Sequence, residues 1–168
     1  MLPLILNPQT VTVGLAGAGE GLVRRSALLA EARVMPVAVS PEVGEGELEG
    51  LAILFVAGLS PAQSARLAAT ARSAGVLVNV EDRPELCDFH VPAVIRRGDL
   101  LVTVSTAGKA PGLAKLVRQW IERRLGLEWA ERAAELASAR AGWRRSGLAP
   151  AEVAQRTASL VDERGWLP

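Results

Sequence analysis

Short uncharged apolar runs alternate with longer stretches in which apolar and polar positions recur at helical spacing. Residues 4–6 form one apolar run, closed by Asn7-Pro8. Residues 11–16 form another, rich in valine, which suits a strand buried on both faces of a parallel sheet. It runs into Gly17-Ala18-Gly19-Glu20-Gly21. From Leu22 a helix is predicted, with Leu22, Val23, Ala27 and Leu28 on one side and Arg24 and Arg25 on the other. Residues 34–39 predict the next buried strand, ended by Ser40-Pro41, and the glycine- and glutamate-rich stretch 43–50 predicts a loop. After a strand over 51–57, Ser60 is placed as N-cap and Pro61 as the first residue of a helix that stops at Gly75. Residues 76–80 predict a further strand, and Glu81-Asp82-Arg83-Pro84 lies beyond its carboxyl end. Strands alternating with helices of this length predict an α/β fold built on a Rossmann-like, doubly wound parallel sheet.

Past Pro92 the pattern changes. Residues 93–95 and 100–105 read as extended segments joined by a turn at Arg97-Gly98-Asp99. A small, polar loop over 106–111 leads to a helix over 112–124. Two alanine-rich helices follow, over 126–142 and 150–164, with Trp129, Trp143 and Trp166 as packing or interface anchors. No internal repeat is visible.

Composition narrows the classes. The 168 residues suffice for one domain, or for one domain plus a helical appendage. A net charge of +1 excludes an acidic disordered tail and gives no support to a nucleic-acid binder. One cysteine, Cys87, cannot form an internal disulfide, and one histidine, His90, cannot build a histidine-rich metal site. No apolar run reaches the roughly 18 residues of a membrane span. The opening Met-Leu-Pro-Leu-Ile-Leu lacks the basic start of a signal peptide, so a soluble cytoplasmic protein is expected.

Three segments carry chemistry. A strand feeding glycines and then a helix lets the backbone approach a pyrophosphate, held on the free N–H groups of the helix start. Gly17 and Gly19 fit the first two positions of G-x-G-x-x-G, but Leu22 occupies the third and Gly21 stands one residue early. The strand-end acid that would hold ribose hydroxyls is replaced by Ser40-Pro41-Glu42, where Glu42 could serve. A tight structural turn is the competing reading. Asp82, beyond a strand end, is placed either as a general base or as the cap of its own turn. The loop from Ser105 through Gly112 offers N–H groups and Lys109 to substrate carboxylates, or is a plain strand–helix connection. His90 and Cys87 read as packing residues.

Three stretches resemble the N-terminal family of siroheme synthases. They are Asn79-Val80-Glu81-Asp82-Arg83-Pro84-Glu85-Leu86-Cys87-Asp88-Phe89-His90-Val91-Pro92-Ala93, Ile95-Arg96-Arg97-Gly98-Asp99-Leu100, and Val104-Ser105-Thr106-Ala107-Gly108-Lys109-Ala110-Pro111. Leu2-Pro3-Leu4 and the glycine loop with its first helix are similar to the family as well. The resemblance implies a Rossmann NAD-binding domain over 1–91, a dimerisation and substrate-loop segment over 92–125, and a helical region over 126–168. It implies NAD-dependent oxidation of the tetrapyrrole precorrin-2 to sirohydrochlorin in siroheme biosynthesis by a homodimer, in some members with ferrochelatase activity besides. The catalytic aspartate then falls on Asp82. NAD contacts fall on Gly17, Ala18, Gly19, Glu20 and Gly21 and on Ser40, Pro41 and Glu42. The substrate loop contributes Ser105, Thr106, Gly108 and Lys109, with no resident metal, and Arg96 and Arg97 add charge suited to a polycarboxylate. The chain departs from the family pattern at Leu22, at Ala57-Gly58 and at Arg33. The alternative is a non-catalytic nucleotide- or tetrapyrrole-binding relative with an altered cofactor loop.

Overall fold

Alternate residues of two central strands feed two separate hydrophobic clusters, so the sheet is covered on both faces. The computed structural model describes residues 1–167. It divides into two compact units, Met1–Val91 and Pro92–Pro168.

In the first unit, β1 (Val13–Gly17), β2 (Val37–Ala38), β3 (Ile53–Ala57) and β4 (Leu77–Val80) form a parallel sheet in the order β2-β1-β3-β4. Val13, Leu15, Ile53 and Phe55 join Leu29 of helix α1 (Gly19–Glu31) in one cluster. Ala16, Leu54, Val56, Val78 and Val80 join Leu67, Ala68 and Ala71 of helix α2 (Pro61–Ser73) in the other. Such runs are apolar at nearly every position because both faces are buried.

The ends of α2 form as the sequence predicts. The Ser60 hydroxyl accepts from the Gln63 amide at 3.3 Å and the Gln63 side chain accepts from the Ser60 amide at 3.2 Å. Gly75, at φ +74, closes the other end, with its own N–H bonded to the Arg72 carbonyl and that of Val76 to the Ala71 carbonyl. Helix α1 stops by the same pair of bonds, from Arg33 to Ala30 and from Val34 to Leu29, but Arg33 holds the left-handed position at φ +57.

Three expectations are corrected. Residues 4–6 form no strand, being paired with no sheet edge. The strand expected over 34–39 shrinks to Val37–Ala38, an exposed edge paired only with β1. Pro36, which has no N–H to donate, stands immediately before it. Helix α1 begins at Gly19 rather than Leu22, because the glycines form its first turn instead of a loop ahead of it.

The second unit is a hairpin with three helices. Strands β5 (Ala93–Arg97) and β6 (Leu100–Val104) pair antiparallel around Gly98 at φ +58 and Asp99. Helix α3 (Pro111–Glu122) packs on the hairpin. Helices α4 (Trp129–Arg145) and α5 (Pro150–Glu163) pack together, tied by Arg164 to Glu135 at 2.6 Å. The Arg132 guanidinium lies 4.9 Å from the Trp129 ring and 5.7 Å from the Trp166 ring, so these tryptophans are packing residues.

Candidate active site

The chain leaves β1 toward β2 on one side and toward β3 on the other, and open α/β sheets bind ligands where the strand order reverses in this way. The carboxyl ends of β1 and β3 carry Gly17-Ala18-Gly19 and Ala57-Gly58. Two close approaches hold them together. A Cβ on Gly58, whose φ is +70, would stand 2.1 Å from the Ala18 carbonyl oxygen. A Cβ on Gly21 would stand 2.7 Å from the Gly58 nitrogen. The Ala18 amide completes the junction by donating to the Ala57 carbonyl at 3.1 Å.

This packing explains two departures noted in the sequence. Gly21 makes the close helix–strand contact that the third glycine of the fingerprint provides elsewhere. Leu22 packs against the hydrophobic cluster of Val13, Leu15 and Phe55. Gly58 is required by Ala18 and Gly21.

The residues present fit a dinucleotide phosphate. Ala18 is extended and offers no side-chain cap to α1. Among the described residues, the first-turn amides of Gly19, Glu20 and Gly21 have no protein acceptor. The space where a Gly19 side chain would be is open. Beside it lies a shallow depression lined by Gly19, Glu20, Val23 and Arg24. The Glu20 side chain points to solvent and pairs with Arg24 at 3.6 Å, so the first turn presents its amide rather than its carboxylate.

The end of β4 reaches this cradle through a residue the sequence did not single out. Glu81 accepts from Arg24 at 3.3 Å and is only 19% exposed, its carboxylate beside Gly21. Arg25 lies over the Phe55 ring at 5.0 Å. Burial pulls its guanidinium below the ordinary arginine value, and the negative charges of Glu81 and Asp82 work in the opposite direction.

Asp82 follows Glu81 in a turn closed by the Arg83 amide on the Val80 carbonyl at 3.3 Å. It is exposed, its φ is +59, and among the described residues its carboxylate makes no hydrogen bond or ion pair. The left-handed conformation is one that aspartate tolerates better than most side chains. The neighbouring segment holds this strand end in place. Asp88 accepts from the Val78 amide at 2.9 Å and from Arg72 at 2.9 Å, while Asn79 donates to the Phe89 carbonyl at 2.9 Å. The Cys87 sulfur accepts from the Val80 amide at 3.2 Å, and Phe89 meets Phe55 edge-on at 5.4 Å.

At the end of β2, the Ser40 hydroxyl accepts from the Glu42 amide at 3.2 Å. Arg66 of α2 donates to the Pro41 carbonyl and, at 3.2 Å, to Glu42. Arg66 is a second residue missed in the sequence.

In the second unit, Thr106 and Lys109 close a turn with the Lys109 amide on the Thr106 carbonyl at 3.0 Å. Its central residues, Ala107 and Gly108, have φ of +56 and +76. The Ser105 hydroxyl accepts from the Ala107 amide and that of Thr106 from the Ala110 amide, each at 3.2 Å. Both hydroxyls therefore shape the loop and retain their protons for donation outward. Lys109 and Gly108 are exposed. Arg97 does not offer its charge as expected. It is 13% exposed, donates to the carbonyls of Leu125 and Gly126 at 2.8 and 3.1 Å, and lies 3.9 Å from Glu122. Arg96 remains exposed.

A family model described as "Putative NAD(P)-binding" matches residues 4–93, and one described as "Sirohaem biosynthesis protein central" matches 97–124. The chain belongs to the siroheme synthase N-terminal family. A siroheme synthase of Azotobacter vinelandii is 36% identical over 141 residues, and one of Methylococcus capsulatus 37% over 141 residues. Each alignment covers 72% of this chain and 30% of the relative, so the chain spans about 30% of the length of these curated siroheme synthases. The solved structure of SirC, a precorrin-2 dehydrogenase, superposes with a TM-score of 0.73 at 18% identity, covering 98% of this chain and 91% of that one. That likeness shows the shared fold. Gly17 ends β1 and Gly19 opens α1, Asp82 lies exposed beyond the end of β4, and the 105–111 loop follows β6.

Proposed function

We propose that this chain is a precorrin-2 dehydrogenase that oxidises precorrin-2 to sirohydrochlorin with NAD as acceptor, as a homodimer in the cytoplasm. The observation that carries the reading is Asp82. It is an unpartnered carboxylate on a left-handed backbone, one residue from the Glu81 side chain that touches the first turn of α1. Strained positions of this kind cluster where function demands them.

The balance of the reaction defines each role. Substrate loses a hydride and a proton, and NAD becomes NADH. Bound nicotinamide supplies the hydride acceptor. The amides of Gly19, Glu20 and Gly21 hold the pyrophosphate, and Ser40, Pro41 and Glu42 line the adenosine ribose. Asp82 takes the proton as general base. In the substrate loop, the Ser105 and Thr106 hydroxyls, the Gly108 amide and the Lys109 ammonium bind the carboxylates of the tetrapyrrole, with Arg96 as a further cation. Residues 1–91 thus form the cofactor domain, 92–125 the substrate-loop and dimerisation segment, and 126–168 its helical support. Where the chain also inserts iron into its product, Asp82 is the group that draws off the pyrrole protons.

The dimer reading rests on α3. Its Leu113, Leu116 and Trp120 are 55%, 64% and 51% exposed at successive turns of the helix, an apolar stripe that a second copy would cover.

The test is turnover. Purified protein given precorrin-2 and NAD is expected to yield NADH and sirohydrochlorin together, and NAD binding without any turnover would favour a non-catalytic relative.

A further inference from the structure

The turn after β2 carries a carboxylate and a guanidinium that are paired with each other and open to solvent. Glu42 and Arg66 meet at 3.2 Å, with side chains 73% and 43% exposed. Arg66 has a second anchor, the Pro41 carbonyl, which does not depend on Glu42. The Ser40 hydroxyl fixes the turn by accepting from the Glu42 amide.

In a Rossmann sheet the end of the strand beside β1 meets the adenosine ribose, where a carboxylate accepts from the 2′-hydroxyl and an arginine receives a 2′-phosphate. This chain places one of each there. We propose that the Glu42–Arg66 pair sets the choice between NAD and NADP. Glu42 accepts from the ribose hydroxyl and repels a 2′-phosphate. By engaging Arg66 it also withholds a charge that would welcome that phosphate. The inference rests on the dinucleotide reading above and adds Arg66, from a different helix, as a specificity-determining residue. Removing the Glu42 charge leaves the Arg66 guanidinium beside the turn unneutralised.

Calorimetric titration of the whole chain with NAD and with NADP tests this. Glu42→Gln is expected to weaken NAD binding about tenfold and to tighten NADP binding about tenfold, the worth of one charge-assisted hydrogen bond in each direction. Adding Arg66→Gln to that variant is expected to abolish the NADP gain. An unchanged NAD-to-NADP ratio in Glu42→Gln would overturn the inference and leave the cofactor reading standing. An NADP gain that survives the loss of Arg66 would overturn it too. Failure of the unaltered protein to bind either dinucleotide would overturn both.

Discussion

Gly21 and Gly58 meet backbone to backbone, and neither could carry a methyl group without displacing the other's segment. Gly58→Ala adds a left-handed φ of +70 to a clash with the Ala18 carbonyl. Urea unfolding should show a loss of about 2–3 kcal/mol, combining backbone strain with overpacking. Gly21→Ala should leave more stability but lose NAD affinity, since the first turn of α1 must lift off Gly58. Calorimetry with NAD reads that difference.

Arg33 offers the reverse experiment. It occupies the left-handed position of a helix stop that Gly75 fills for α2. Arg33→Gly relieves the strain of a side chain at φ +57, partly offset by the greater freedom of glycine in the unfolded chain. The net expectation is a gain of roughly 0.5–1 kcal/mol in urea unfolding, with NAD affinity unchanged.

Arg96 and Arg97 are neighbours with opposite roles. Arg97→Ala leaves the Leu125 carbonyl without its donor and that of Gly126 with only the Trp129 amide, and is expected to cost about 1–3 kcal/mol, seen as a lower Tm. Arg96→Ala should leave Tm unchanged and raise KM for the polycarboxylate substrate.

The apolar stripe on α3 predicts an oligomeric state. Light scattering of the unaltered chain should report a dimer. Leu116→Glu, a charge at an exposed apolar position, should shift it to monomer without loss of helicity. A monomeric unaltered chain would remove the dimer from the account.

What the sequence disclosed was local. The cap at Ser60, the stop at Gly75, the hairpin turn at Gly98 and the loop beyond β4 each announce themselves by residue types a few positions apart. What it hid was set by distant partners. Glu81 reaches Arg24 across 57 residues and Arg66 reaches Glu42 across 24, and no spacing rule links them. Gly58 reads as a departure from a family pattern until Ala18 and Gly21 are seen against it. The shrinkage of β2 to two residues follows from its place at the sheet edge beside Pro36, which apolar content alone does not reveal.

Asp82→Asn is the variant that isolates the central chemical claim, because asparagine accepts the left-handed backbone as readily as aspartate and only the proton acceptor is lost. NADH formation with precorrin-2 should fall by about 10²–10⁴-fold, the usual share of a general base, while calorimetric NAD affinity and Tm stay as they were. A variant that turns over at the unaltered rate would contradict the assignment of Asp82.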